Sequence, residues 1–243
     1  MKIRNSSMLK CVNIVFAIFL TLILKPSINP LFAAEKPTAY FIDSLTRISP
    51  DDTPLTNTTI SIYAAKNEYE PYQIVISGGS GGLKNITMSA SPLKSKNGAT
   101  IDSKFITLYR EHYLEIKTNS PKSSLKPGWY PDALIPLINP YTGEPLKGGR
   151  FSAMPFDVEP MKNQPIWVEV YVPPDASSGV YEGVITISPL NLKLNYTLTV
   201  WNFKLPDKPS LRSNFGSFGS RIAKSHKAEP NTDLYRLLEY RYS

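Results

Sequence analysis

The stretch that decides the fold runs from Asn163 to Gly219. It reads NQPIWVEVYVPPDASSGVYEGVITI over 163–187 and LKLNYTLTVWNFKLPDKPSLRSNFGSFG over 192–219. Ile166, Val168, Val170 and Val172 alternate with Trp167, Glu169 and Tyr171. Leu192, Leu194, Tyr196, Leu198 and Val200 alternate with Lys193, Asn195, Thr197, Thr199 and Trp201. A period of two puts every second side chain on one face, which is the pattern of a half-buried strand. Pro173-Pro174-Asp175 and Ser178-Gly179 supply turn chemistry between the runs. Past Phe203 the pattern stops at Leu205-Pro206-Asp207-Lys208-Pro209, and a new apolar, glycine-bearing segment begins. One domain therefore closes here and another opens.

The same period extends upstream. Ile60 and Ile62 alternate with Thr59 and Ser61, and Tyr72, Ile74 and Ile76 share a face. Between Phe105 and Lys117, one face carries Ile106, Leu108, Leu114 and Ile116, and the other Thr107, Tyr109, Glu111, Tyr113 and Glu115. Asn97-Gly98 suits a tight turn, and Ser77 to Gly82 reads as a flexible connection. No long helical pattern interrupts the series, so residues 35–206 are expected to form an all-β domain, an antiparallel β-sandwich in which two half-apolar sheets cover each other. Residues 120–164 lack a sustained period. Their proline, glycine and aromatic content predicts a long ordered loop carrying Trp129, Tyr130 and Asp132.

The N-terminus has the parts of a secretory signal peptide. Lys2, Arg4 and Lys10 precede an apolar run from Val12 to Leu24, and Ala33-Ala34 follow the breakers Pro26 and Pro30. The run is shorter than a spanning helix needs. Residues 1–34 are thus read as removed on export to the periplasm or the extracellular space, with no further membrane segment. The lone Cys11 lies in this segment, so the mature chain is expected to hold no disulfide. With Lys2, Arg4, Lys10 and Lys25 removed, the net charge of +7 becomes +3, which gives no footprint for nucleic acid. His112 and His226 lie far apart with no cysteine beside them, so neither a zinc site nor any other cofactor is expected.

The candidate interdomain or glycan contacts are Arg110, Glu111, His112, Trp129, Tyr130 and Asp132, all between residues 105 and 136. Arg110, Glu111 and His112 sit in one strand pattern, with Arg110 and His112 on the face of Leu108 and Leu114. Two readings stand: a hydrogen-bonded group that orients the sandwich against another domain, or a substrate contact. Asp132 either stabilises its own turn or approaches an active-site rim. Trp129, Trp167 and Trp201 are either sugar-stacking platforms or interface residues. Glu68 and Glu70 form a carboxylate pair at the start of a strand, where a structural role is the simpler reading. Ser77–Gly82 fails the phosphate-loop pattern, since Lys84 is followed by neither serine nor threonine. There is no Gly-x-Ser-x-Gly elbow.

The chain resembles the N-terminal domain of glycoside hydrolase family 123 and related glycosidase-like proteins. The motifs are Ala64-Ala65-Lys66-Asn67-Glu68-Tyr69-Glu70 leading into Tyr72-Gln73, Tyr109-Arg110-Glu111-His112-Tyr113, and Gly128-Trp129-Tyr130-Pro131-Asp132-Ala133-Leu134-Ile135-Pro136. Asn163-Gln164-Pro165-Ile166-Trp167-Val168, Gly179-Val180-Tyr181-Glu182-Gly183 and Leu198-Thr199-Val200-Trp201-Asn202-Phe203 follow in order. The resemblance implies a sandwich in front of a (β/α) barrel that hydrolyses N-acetylgalactosaminides, using the substrate's acetamido group and a neighbouring Asp-Glu pair. No Asp-Glu dipeptide occurs in this sequence, so no catalytic residue carries over. Residues 207–243 read as a linker and the truncated start of that barrel: a short strand over Asn214–Gly219, then a helix capped by Asn231 or Thr232 with Leu234, Leu237 and Leu238 on one face. The expected function is that of a non-catalytic sandwich of an exported glycoside-hydrolase-like protein, partnered by the missing barrel. The alternative is a free-standing secreted module that binds glycans or surfaces.

Overall fold

A computed structural model describes residues 35–139, 143–146, 151, 153–208, 210–211 and 219–242. The expected signal peptide and most of the expected strand at 214–219 lie outside these residues. Gly219 itself opens a helix.

Two sheets carry the fold. In chain order the strands are β1 (Thr38–Asp43), β2 (Thr59–Lys66), β3 (Glu68–Ser77), β4 (Leu83–Ala90), β5 (Leu93–Ser95), β6 (Thr100–Ile101), β7 (Ile106–Ile116), β8 (Gly128–Pro136), β9 (Phe156–Val158), β10 (Asn163–Val172), β11 (Gly179–Ser188) and β12 (Leu192–Lys204). The first sheet has the order β1-β3-β10-β7-β8 and is antiparallel throughout. The second has the order β2-β12-β11-β4-β9, with β5 and β6 attached beside β11. Here β2 runs parallel to β12, so this sheet of the sandwich is mixed. The arm 44–58, between β1 and β2, carries the chain from the first sheet to the second.

The alternating rows meet between the sheets. Tyr72, Ile74, Ile76, Ile166, Val168 and Val170 from the first sheet pack with Ile185, Leu194, Tyr196, Leu198 and Val200 from the second. The Tyr72 ring lies 5.2 Å from that of Tyr196 and 5.7 Å from that of Phe41, so one aromatic cluster spans the layer. The outer face of the first sheet has its own cover. Ile48 of the arm packs with Tyr40, Ile42 and Val75. Gln73 Nε2 donates to the carbonyls of Asp43 and Thr46, Asn163 Nδ2 to that of Asp52, and Tyr113 Oη to that of Ile48. At the root of the arm, the Asp43 carboxylate accepts from the Leu45 and Thr46 amides and the Thr46 hydroxyl, which holds its pKa below the ordinary range.

Three expectations are corrected. The region 120–164 is not one long loop: it contains β8, paired along most of β7, and β9. Its irregular sequence reflects an edge strand, where Pro131 and Pro136 remove no ladder bond that the sheet needs. The segment Ser77–Gly82 is not a flexible connection. Ser77, Gly78 and Gly79 are buried, and a side chain at Gly78 or Gly79 would run into the Glu159 or Glu35 carbonyl oxygen. Leu114 and Ile116 do not share the burial of Ile106 and Leu108. They are exposed, while Glu111 is buried. Pairing of β7 with β10 ends at Arg110, and beyond it β7 pairs only with β8. Gln164 Nε2 still reaches the Glu111 carbonyl and Tyr113 Oη the Ile48 carbonyl, while the end of the hairpin from Leu114 runs past the start of β10.

Two helices end the described chain, α1 (Gly219–His226) and α2 (Asp233–Tyr242). Thr232 caps α2, its Oγ1 accepting from the Tyr235 amide. Leu234 and Leu237 on α2 are about half exposed. No described helix is long and apolar enough to cross a membrane.

Candidate functional site

All six candidate residues lie on the β7–β8 hairpin, but the pleat distributes them over three environments. Arg110 points between the sheets at the edge of the core. Its Nε donates to Gln164 Oε1 at 3.0 Å, and its guanidinium lies 5.1 Å from the centre of the Phe156 ring. Gln164 is buried and spends Nε2 on the Glu111 and Pro165 carbonyls at 2.7 and 2.9 Å. Arg110 thus ties β7 to β9 and β10. Burial lowers its pKa, and the Asp157 charge opposes that shift. The His112 ring, on the same side, packs 4.1 Å from Phe151.

Glu111 turns to the opposite face, under the arm. It is 5% exposed, and among the described residues its Oε1 has no hydrogen-bond partner. Desolvation pushes its carboxyl up to about 7. Tyr113 lies close by, and burial followed by the charges of Glu111 and Asp52 raises its phenol. Such burial favours the protonated acid until pH approaches about 7.

The third environment is open. Where the ladder passes from His112–Ala133 to Tyr113–Pro131, Asp132 is the extra residue of a β-bulge. The bulge re-aims the edge and helps shape a cleft of about 390 Å³ lined by Arg47, Leu114, Ile116, Lys126, Tyr130 and Asp132 among others. The Arg47 guanidinium sits 5.3 Å from the Tyr130 ring centre. Tyr130 also donates its hydroxyl to the Lys126 carbonyl. Trp129 is 48% exposed and pairs across the ladder with Glu115; it does not line the cleft.

The structure therefore brings Tyr130 and Asp132 together and separates them from Arg110, Glu111, His112 and Trp129. Glu68 is structural: its Oε2 accepts the Ala65 amide at 2.6 Å where the chain turns from β2 to β3. Its charge and burial together raise the Glu70 carboxyl, burial contributing more. Among the described residues no group of three His, Cys, Asp or Glu is placed to hold a metal ion. Sequence reasoning missed Arg47, which sits in a stretch without period, and Gln164, whose signal was present in Asn163-Gln164-Pro165 but gave no direction for the side chain.

Residues 44–189 match the family model described as the glycoside hydrolase 123 N-terminal domain. No curated protein matches the chain. Among solved structures, a family 123 glycoside hydrolase from Clostridium perfringens, studied for glycolipid glycan hydrolysis, superposes with a TM-score of 0.58 at 19% identity. The likeness covers 70% of this chain and 28% of that one, so this chain spans little more than a quarter of that protein's length. AvmM, which catalyses macrocyclization in alchivemycin A biosynthesis, gives a TM-score of 0.29 at 11% identity, covering 72% of this chain and 92% of that one. The C-terminal domain of the Streptococcus agalactiae AgI/II polypeptide BspA gives 0.24 at 11%, covering 68% and 50%. These last two likenesses are too loose to bear on the fold.

Proposed function

The chain belongs to the glycoside hydrolase 123 N-terminal domain family, and from that premise we propose that it is a non-catalytic β-sandwich serving an exported glycoside hydrolase. The observation that carries the reading is the dispersal of its carboxylates. Glycoside hydrolysis ordinarily needs two carboxyl groups flanking one bond in a shared cleft. Among the described residues the hairpin cleft offers one, Asp132, while Glu111 is buried on another face and Glu68 is spent on a backbone amide. Arg110, bound to Gln164 and packed on Phe156, braces the hairpin as a rigid projection. Such a projection suits a contact with a catalytic domain, which the family resemblance makes a (β/α) barrel acting on N-acetylgalactosaminides. Tyr130 and Asp132 on the hairpin are the residues we assign to that contact.

The purified chain alone is expected to release no chromophore from an aryl N-acetylgalactosaminide above a protein-free blank. Turnover that follows the folded chain through purification would reject the reading. Export is a separate expectation resting on residues 1–34. Fused to a bacterial alkaline phosphatase lacking its own leader, this segment is expected to yield enzyme activity and a shortened product. An inactive, full-length fusion would place the protein inside the cell.

A further inference from the structure

The arm 44–58 packs over one part of the first sheet's outer face, at Tyr40, Ile42, Val75, Gln73, Asn163 and Tyr113. The outer face of the second sheet is open along β2, β12 and β11, where Thr59, Ser61, Tyr63, Asn195, Trp201, Glu182 and Val180 are exposed. The register shows what this open face presents. Thr59 lies beside Asn195, which faces Val184. In the next row Ser61, Thr197, Glu182 and Lys94 stand side by side, with Thr197 Oγ1 donating to Ser61 Oγ at 2.9 Å. Tyr63, Thr199 and Val180 form the third row. Trp201 and Phe203 continue along β12. The rings of Tyr63 and Trp201 are stacked 6.3 Å apart at 24°, and those of Trp201 and Phe203 5.7 Å apart at 15°.

These three aromatics are 52%, 45% and 53% exposed. A single exposed aromatic needs no explanation; three in one stacked strip form a patch that marks a binding surface. The strip adjoins two shallow grooves of about 620 and 540 Å³ that share Lys94 and Glu182 as lining residues. From Asn195 to Phe203 the face extends about 26 Å along β12.

We propose that this face of the second sheet binds a neutral oligosaccharide. Sugar rings present flat C–H faces edged with hydroxyls, and the face offers aromatic rings continuous with hydroxyl and amide side chains. Beside the aromatic strip the face is mostly hydroxyl and amide, with Thr59, Ser61, Asn195, Thr197 and Thr199 alongside the aliphatic Val180 and Val184. This is a more polar mix than the core of a protein–protein interface carries. Lys94 stands opposite Glu182, which balances its charge in the middle of the face. Lys96 and Lys193 lie toward its edges, so anionic controls decide between neutral and anionic chains. Tyr and Trp supply large rigid contact area at low entropic cost. The inference does not depend on the hairpin's role or on the absence of catalysis.

The test is binding of the full chain to a panel of immobilised neutral glycans that includes the chito-, cello- and malto-series from two to six units. Heparin and oligogalacturonate fragments serve as anionic controls. At least one neutral series is expected to bind, with affinity rising with length, and Trp201→Ala is expected to weaken it at least tenfold. Tyr63→Ala should weaken it less, and Trp129→Ala should leave it unchanged. Trp201→Ala should still melt cooperatively as a folded domain, since the ring sits on the open face and not in the core. Binding of no neutral glycan, binding of the anionic controls alone, or loss of binding through Trp129 instead of Trp201 would overturn the proposal.

Discussion

Replacing Glu111 with glutamine is expected to stabilise the protein at pH 8 by about 3 kcal/mol and to change nothing at pH 4. The sign follows from the carboxyl's position. In the unfolded chain it titrates near its ordinary value of 4.5; in the folded protein, burial under the arm raises this to about 7. Below the unfolded value both states hold the proton and the carboxyl has no pH-dependent effect. As pH rises from the unfolded value to the folded one, the unfolded chain releases a proton that the folded chain keeps, so stability falls. Above the folded value both states are ionised and the loss is complete and constant. The size follows from about 1.4 kcal/mol per pH unit of separation. Oε1 has no hydrogen-bond partner among the described residues, and burial alone drives the shift. Urea midpoints across pH 4–9 for parent and variant would measure it. A difference independent of pH would show that Glu111 is solvated in the folded state. The arm should loosen first, because Glu111, Tyr113 and the Tyr113–Ile48 hydrogen bond lie together under it.

Gly78→Ala is expected to lose about 3 kcal/mol, while Gly81→Ala stays within about 0.5 kcal/mol of the parent. The two glycines are three residues apart in one cluster, yet their surroundings differ. A Cβ on Gly78 would fall on the Glu159 carbonyl oxygen, which is backbone and cannot rotate away. The Gly78 amide also donates to the Lys162 carbonyl at 2.9 Å, so the contact joins the end of β3 to the turn that starts β10. Those two strands are central in the first sheet, and moving one against the other disturbs the core rows. Gly81 meets nothing within 4 Å. Paired thermal melts of the two variants would check this. Equal melting temperatures would mean that the approach of the two backbone segments is not what requires glycine at 78.

The core rows were legible because strand period translates directly into facing. Tyr72, Ile74 and Ile76, and Ile166, Val168, Val170 and Val172, are all buried against Leu194, Tyr196, Leu198 and Val200. The second helix and its Thr232 cap were legible for a similar reason, since both are local. Glu111 shows where such reading stops. Alternation placed it correctly on the opposite face from Leu108. That face proved to be roofed by a stretch, 44–58, with no period at all. Leu114 and Ile116 show the converse, for their strand pattern continues after the neighbouring strand has stopped. The candidate residues were found together because the hairpin is contiguous in sequence, yet the bulge at Asp132 split their directions.

From its residues alone, the chain determined most of the segments that extend and which side chains share a face within each, because those properties depend on neighbours one or two residues away. Tertiary structure alone decided that β2 would lie parallel to β12, that Glu111 would lose its water, that Gly78 would have no room, and that Tyr63 would meet Trp201. Each of these joins groups distant along the chain, and what a side chain can do there depends on which other segment arrives beside it.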